Sequence, residues 1–154
     1  MSLKIYILIT LIICSFSCAP LVVDKGQDIG GYINLRASIE QNDINKIKDL
    51  LGAGLDVNYV YQDKDTEPSC LLIAIVCNAS TNVISYLIDA GADVNFQGRS
   101  SAPPLIHAFN MREYKSSVFV VTKLLDSNVD VNVFNSDGIT PLMAAADDLY
   151  LVEK

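Results

Sequence analysis

The feature that most constrains this chain is a pentapeptide that returns. Gly54-Leu55-Asp56-Val57-Asn58, Gly91-Ala92-Asp93-Val94-Asn95 and Asn128-Val129-Asp130-Val131-Asn132 follow one another at a spacing of 37 residues. A fixed period between about 20 and 50 residues marks a chain built of stacked units, each burying its apolar face only against its neighbours. The stretches between the copies must therefore supply one supersecondary unit apiece.

Helical periodicity identifies that unit. Leu35, Ser38 and Ile39 recur at helical spacing, and Ile44, Ile47, Leu50 and Leu51 do so again after Gln41-Asn42-Asp43. Two short helices in a hairpin are predicted, starting near Tyr32 and stopped by Gly52 and Gly54, because glycine adopts the left-handed conformation that closes a helix. The second unit enters through Pro68 and the capping residue Ser69 into Cys70, Leu71, Ile73, Ala74, Ile75 and Val76. After a turn at residues 78–82 come Val83, Ile84, Tyr86, Leu87 and Ile88, ended at Gly91. The third opens with Pro103-Pro104-Leu105-Ile106-His107-Ala108 and closes with Val118, Val120, Val121, Leu124 and Leu125, with a longer inter-helix segment at 110–117. A partial fourth begins at Thr140-Pro141-Leu142, with Thr140 as N-cap and Pro141 at the first helical position, where its missing N–H costs nothing.

These residues resemble the ankyrin repeat family, whose pattern joins Thr-Pro-Leu-His-x-Ala at the first helix to Gly-Ala-Asp-Val-Asn after the second. Thr140-Pro141-Leu142 and Gly91 to Asn95 match letter for letter, and Pro104-Leu105-Ile106-His107-Ala108 and Ser69-Cys70-Leu71 match loosely. The first unit lacks the Thr-Pro pair, and the period of 37 exceeds the usual ~33. The resemblance implies an all-α solenoid of paired short antiparallel helices, with hairpin-like fingers at 59–67, 96–102 and 133–138. One repeat domain is expected over 32–154, divided at about 32–58, 59–95, 96–132 and a partial 133–154.

The N-terminus has a different character. Lys4 precedes an apolar run at 5–16 and small residues at Ser15, Ser17 and Ala19, the layout of a secretory signal peptide. Cys18 after Ser17 resembles the site at which bacterial lipoproteins are cleaved and lipidated, although Ser15 and Phe16 depart from that family's box. The expectation is a signal peptide at 1–17, lipid on Cys18 and a polar tether at 18–31, hence an exported protein held at a bacterial envelope membrane. Ordinary cleavage and an uncleaved anchor are the alternatives. Of the four cysteines, Cys14 and Cys18 fall in this region. Cys70 and Cys77, seven apart in one expected helix, are about 10 Å apart along its axis, too far for a disulfide, and are expected to be buried as small hydrophobes.

Eighteen acidic against eleven basic residues give a net charge of -7 with no basic run, which disfavours nucleic-acid binding. A hydrolase needs a nucleophile with a base in reach, and a zinc site needs three or four nitrogen or sulfur ligands. The one histidine, His107, lies within a helix start, where a hydrogen-bonded structural role is expected. Asp63 with Asp65, and Asp147 with Asp148, are expected to be solvated charges, and no phosphate loop or calcium-loop spacing is present. No cofactor, metal or catalytic residue is expected.

What remains is surface. Tyr59, Phe96 and Val133 follow the three Asp-Val-Asn copies, with Tyr61 and Phe134 close by. Two readings stand side by side: these side chains stiffen the stack, or they contact a partner, since Tyr is enriched at binding hot spots. Under the second, the partner-binding set is Tyr59, Tyr61, Asp63, Lys64, Asp65, Phe96, Gln97, Arg99, Phe134 and Asn135. The expected function is that of a monomeric, non-enzymatic protein-binding module, with an inhibitory or protective partner of an envelope enzyme or toxin as its narrower alternative and a small hydrolase using Asp63, Asp65 or His107 as the competing class.

Overall fold

A computed structural model describes residues 29–61, 67–98, 102–111 and 113–152, with backbone alone for residue 114 and for 147–152. The described residues are helical, with no strand beyond an isolated bridge between Val60 and Ser69. The helices are α1 (Ile29–Glu40), α2 (Ile44–Gly52), α3 (Cys70–Val76), α4 (Thr81–Asp89), α5 (Pro104–Phe109), α6 (Tyr114–Asp126) and α7 (Pro141–Val152).

They pack as two columns. α1, α3, α5 and α7 contact one another in succession, while α2, α4 and α6 each lie against the helix that precedes them in the chain, and α4 also meets α6. Apolar side chains at helical spacing make these contacts: Leu35 and Ile39 of α1, Leu71 and Ile75 of α3, Val83, Ile84 and Leu87 of α4, and Val120 and Leu124 of α6 belong to one continuous core. Burial at about 25 cal/mol per Å² drives this association, because helices as short as α3 and α5 are unstable alone.

The helix ends follow from local chemistry. Ser69 Oγ accepts from Leu72 N at 3.3 Å, Thr140 Oγ1 from Met143 N at 3.3 Å and Asp43 Oδ1 from Lys46 N at 3.1 Å, each satisfying an orphan N–H of a first turn. The ends of α2 and α4 close through left-handed Gly54 (φ 101) and Gly91 (φ 90), and Asn128 (φ 58) does the same for α6. In each case the next residue's N–H returns to a carbonyl five residues back: Leu55 to Leu50, Ala92 to Leu87 and Val129 to Leu124. Gly52, expected to help stop α2, is instead its last helical residue.

Three expectations change. The first helix begins at Ile29, so Gly30 and Gly31, placed in the tether by composition, are helical, with Gly31 buried. The extra residues of the third unit do not lengthen its turn, which occupies 110–113; they extend α6 to 13 residues against 9 for α4. Cys77 lies just past the end of α3 and is exposed, while Cys70 is buried, and neither is in a disulfide. Helix α3 ends one residue sooner than the apolar pattern suggests, which turns Cys77 out of the core.

Candidate binding surface

The Asp-Val-Asn copies are joined to one another. Within each copy the aspartate accepts from the asparagine N–H two residues on: Asp56 from Asn58 at 2.8 Å, Asp93 from Asn95 at 2.9 Å and Asp130 from Asn132 at 2.8 Å. This local turn frees the asparagine side chain to reach the next copy. Asn58 Oδ1 accepts from Asp93 N and Asn95 Oδ1 from Asp130 N, both at 2.7 Å, and Asn58 Nδ2 also donates to the Gly91 carbonyl at 3.0 Å. The first copy has no asparagine before it, and there the Tyr32 hydroxyl accepts from Asp56 N at 3.0 Å. The outcome is a ladder that sets the start of each finger. Asp and Asn persist in all three copies, which marks the start of each finger in the sequence, but the bonds that join one copy to the next are visible only in the fold.

The first finger is anchored by aromatic rings. Tyr59 stacks on Tyr32 with centroids 3.7 Å apart and meets Tyr61 edge-on at 5.0 Å. Tyr61 is only 2 % exposed, its hydroxyl donating to the Tyr32 carbonyl at 2.8 Å and its ring lying under the Arg36 guanidinium at 5.8 Å. Of the two readings of Tyr61 the buried one holds, so as a partner contact it is corrected: the Val60–Ser69 bridge and the Tyr61 N–H to Pro68 carbonyl bond of 3.0 Å fold its strand-like segment back over α1 and α3. Burial pushes its hydroxyl pKa strongly upward, with the neighbouring Cys70 thiol adding to the effect. Burial likewise pushes the Cys70 thiol up to about 11.

The other fingers are placed more openly. Phe96 is half-buried, whereas Gln97 is exposed and its Nε2 donates to the Phe134 carbonyl at 3.3 Å, tying second finger to third. Gly98 passes so close to the first finger that a Cβ built on it would lie 2.5 Å from the Glu67 carbonyl oxygen. Phe134 is exposed at 64 %. Asn135 is half-buried and occupied within its own turn, its Oδ1 accepting from Asp137 N at 3.0 Å and Ile139 N at 2.9 Å, so it shapes the third finger and has little left to offer a partner. Asp63, Lys64, Asp65 and Arg99, and Cys18 with the rest of the N-terminal segment, lie outside the described residues.

No group of His, Cys, Asp and Glu that could hold a metal occurs among the described residues. Contrary to expectation, His107 Nε2 is buried with no hydrogen-bond partner among the described residues, and burial lowers the imidazole pKa. An ion pair joins the second helices of successive units, Lys123 Nζ to Asp89 Oδ1 at 2.6 Å, and holds the Asp89 carboxyl below its usual range. No helix among the described residues is long and apolar enough to cross a membrane.

No family model matches the chain. One curated protein to which it is similar is serine/threonine-protein kinase 12 of Arabidopsis thaliana, 29% identical over 87 residues, which are 56% of this chain and 18% of the plant protein. The chain thus spans less than a fifth of that relative's length, and the kinase activity in the name belongs to the plant protein. Neither a His-Arg-Asp nor an Asp-Phe-Gly triplet, the catalytic and metal-binding signatures of protein kinases, occurs in the present sequence.

Proposed function

We propose that this chain is an ankyrin-type repeat protein that binds a protein partner through its fingers and catalyses no reaction, exported and held at a bacterial envelope membrane by lipid on Cys18. The observation that carries the binding role is the ladder. It spaces equivalent loops regularly along one edge of the helix columns and ties their bases together, so their outer residues are presented on a rigid frame. Preorganisation of this kind lowers the entropy lost on binding. The partner surface is narrower than residue types alone suggest. Tyr59, Tyr61 and Asn135 serve the frame, which leaves half-buried Phe96 and exposed Gln97 and Phe134, with Asp63, Lys64, Asp65 and Arg99 as further contact residues. Export is supported by the basic residue, apolar run and small-residue pattern before Cys18.

Replacing Gln97 and Phe134 together by alanine is expected to weaken capture of the native partner from envelope extracts by more than about 1 kcal/mol, with an unchanged circular dichroism spectrum. Undiminished capture would remove the fingers as the binding surface. Intact mass of the mature protein reads the N-terminus independently: a lipidated Cys18 is expected, and an unmodified one would end the lipoprotein reading.

A further inference from the structure

The third finger holds a chemically reactive pair. Asp137–Gly138 is the one Asp-Gly step in the sequence, and no Asn-Gly step occurs. An aspartyl carboxyl group can be attacked by the backbone nitrogen of the residue that follows, and glycine obstructs that attack least because it has no Cβ. The ladder aspartates are shielded: Asp56, Asp93 and Asp130 are each followed by valine, whose branched Cβ crowds the nitrogen. Asp137 cannot be shielded in that way. Gly138 sits at φ 76, in the left-handed region, where a β-branched residue would be strained, so the turn itself requires the unprotected neighbour. Both residues are exposed, and no hydrogen bond holds the Asp137 carboxylate among the described residues.

Asn135 restrains the pair. The Gly138 N–H, whose nitrogen would attack, donates to the Asn135 carbonyl at 3.0 Å. On either side, Asn135 Oδ1 accepts from Asp137 N at 3.0 Å and Ile139 N at 2.9 Å, and Asn135 N donates to the Ile139 carbonyl at 3.1 Å. Ring closure must release the Gly138 proton and turn the Asp137 side chain and peptide toward each other, which this bracket opposes. We propose that Asp137–Gly138 is a site of spontaneous isoaspartate formation whose rate is set by opening of the Asn135 bracket. The Gly138 nitrogen loses its proton and bonds to Asp137 Cγ, the protonated carboxyl loses its hydroxyl group with that proton as water, and a succinimide results. Water then adds to the ring and breaks one of its C–N bonds. Cleavage between Gly138 N and Cγ restores aspartate; cleavage between Gly138 N and the Asp137 α-carbonyl carbon leaves isoaspartate, with the main chain running through the side chain. That product adds a carbon to the main chain between Phe134 and the Thr140 cap of α7, so the modification resets the third finger. It needs no reactant but water and is independent of partner capture by the fingers.

The full chain is incubated for several weeks at body temperature and near-neutral pH, isoaspartate is quantified by enzymatic methylation with an isoaspartyl methyltransferase, and peptide mapping locates it. A synthetic peptide of residues 131–142, which lacks the packing of the finger, is the reference. Isoaspartate is expected at residue 137 in both, about tenfold slower in the folded chain, because the bracket must open first. Asn135→Ala, which removes the two side-chain bonds, is expected to raise the rate in the chain about fivefold. Asp137→Glu is expected to abolish the reaction, since glutamate would have to close a larger ring. Circular dichroism checks that both variants keep the fold; should Asn135→Ala unfold, the comparison of chain with peptide decides. No isoaspartate at residue 137 in the folded chain, equal rates in chain and peptide, or a rate unmoved by Asn135→Ala in a folded variant overturns the proposal.

Discussion

At the scale of single residues, asparagine does two kinds of work. Asn42, Asn78 and Asn128 adopt φ near 55°, where a short polar side chain is tolerated; the first two follow first helices, and Asn128 closes α6 where Gly54 and Gly91 close the second helices of the earlier units. Asn58 and Asn95 use their amides as struts between units. The first role was legible at Asn128, which stands where glycine stands in two copies. The second was not, because the bond runs between residues 35 apart in sequence, and only the fold brings them together. Tyr61 was misplaced for a similar reason: an aromatic residue in a turn reads equally well as a contact or as an anchor until its surroundings are known. His107 carries a testable consequence. Its neutral form is favoured in the folded chain, so the unfolded chain takes up a proton first as pH falls through about 6.5, and stability is lost from there down to the lowered folded pKa. Melting temperatures measured from pH about 7.5 to about 5 are expected to fall more for the native chain than for His107→Gln. Parallel pH profiles would contradict a buried neutral imidazole.

Among the elements, the helices were legible and the fingers were not. Periodicity located each helix pair because apolar spacing and capping residues agree, as at Ser69 and Thr140, where the expected caps form. The fingers carry no period; their paths are set by contacts such as the Val60–Ser69 bridge and the passage of Gly98 over the Glu67 carbonyl. That passage makes glycine necessary. Gly98→Ala is expected to cost about 1–3 kcal/mol in urea denaturation, because the atom in the way is backbone and cannot swing aside. Gly52→Ala is the control: its Cβ would meet nothing within 4 Å and it ends a helix, so no loss is expected and a gain of up to about 1 kcal/mol is in reach. Equal effects at the two sites would mean the second finger does not rest on the first.

For the molecule as a whole, the proposed repeat architecture makes stability a sum of terms within units and terms between neighbours. The continuous core runs from Tyr32 to Val129, and it is supplemented along one side by the ladder and between second helices by the Lys123–Asp89 pair. Repetition in the sequence revealed the existence of units, but not that the Tyr32 hydroxyl takes the place of an asparagine before the first copy, while the Asn132 side chain bonds to nothing among the described residues. That difference depends on a residue outside the recurring pentapeptide and on which side chains the fold brings together. It also gives the ladder an internal control, since Asn132 has the same sequence context as Asn58 and Asn95 and makes no cross-unit bond among the described residues. The decisive measurement is equilibrium urea unfolding of Asn58→Ala, Asn95→Ala and Asn132→Ala side by side. Asn95→Ala is expected to lose about 1 kcal/mol, and Asn58→Ala, which gives up two bonds, about 1–3 kcal/mol, while Asn132→Ala stays within about 0.5 kcal/mol of the native chain. Equal losses at all three positions, or none at any, would contradict a stack whose units are tied together by these side chains.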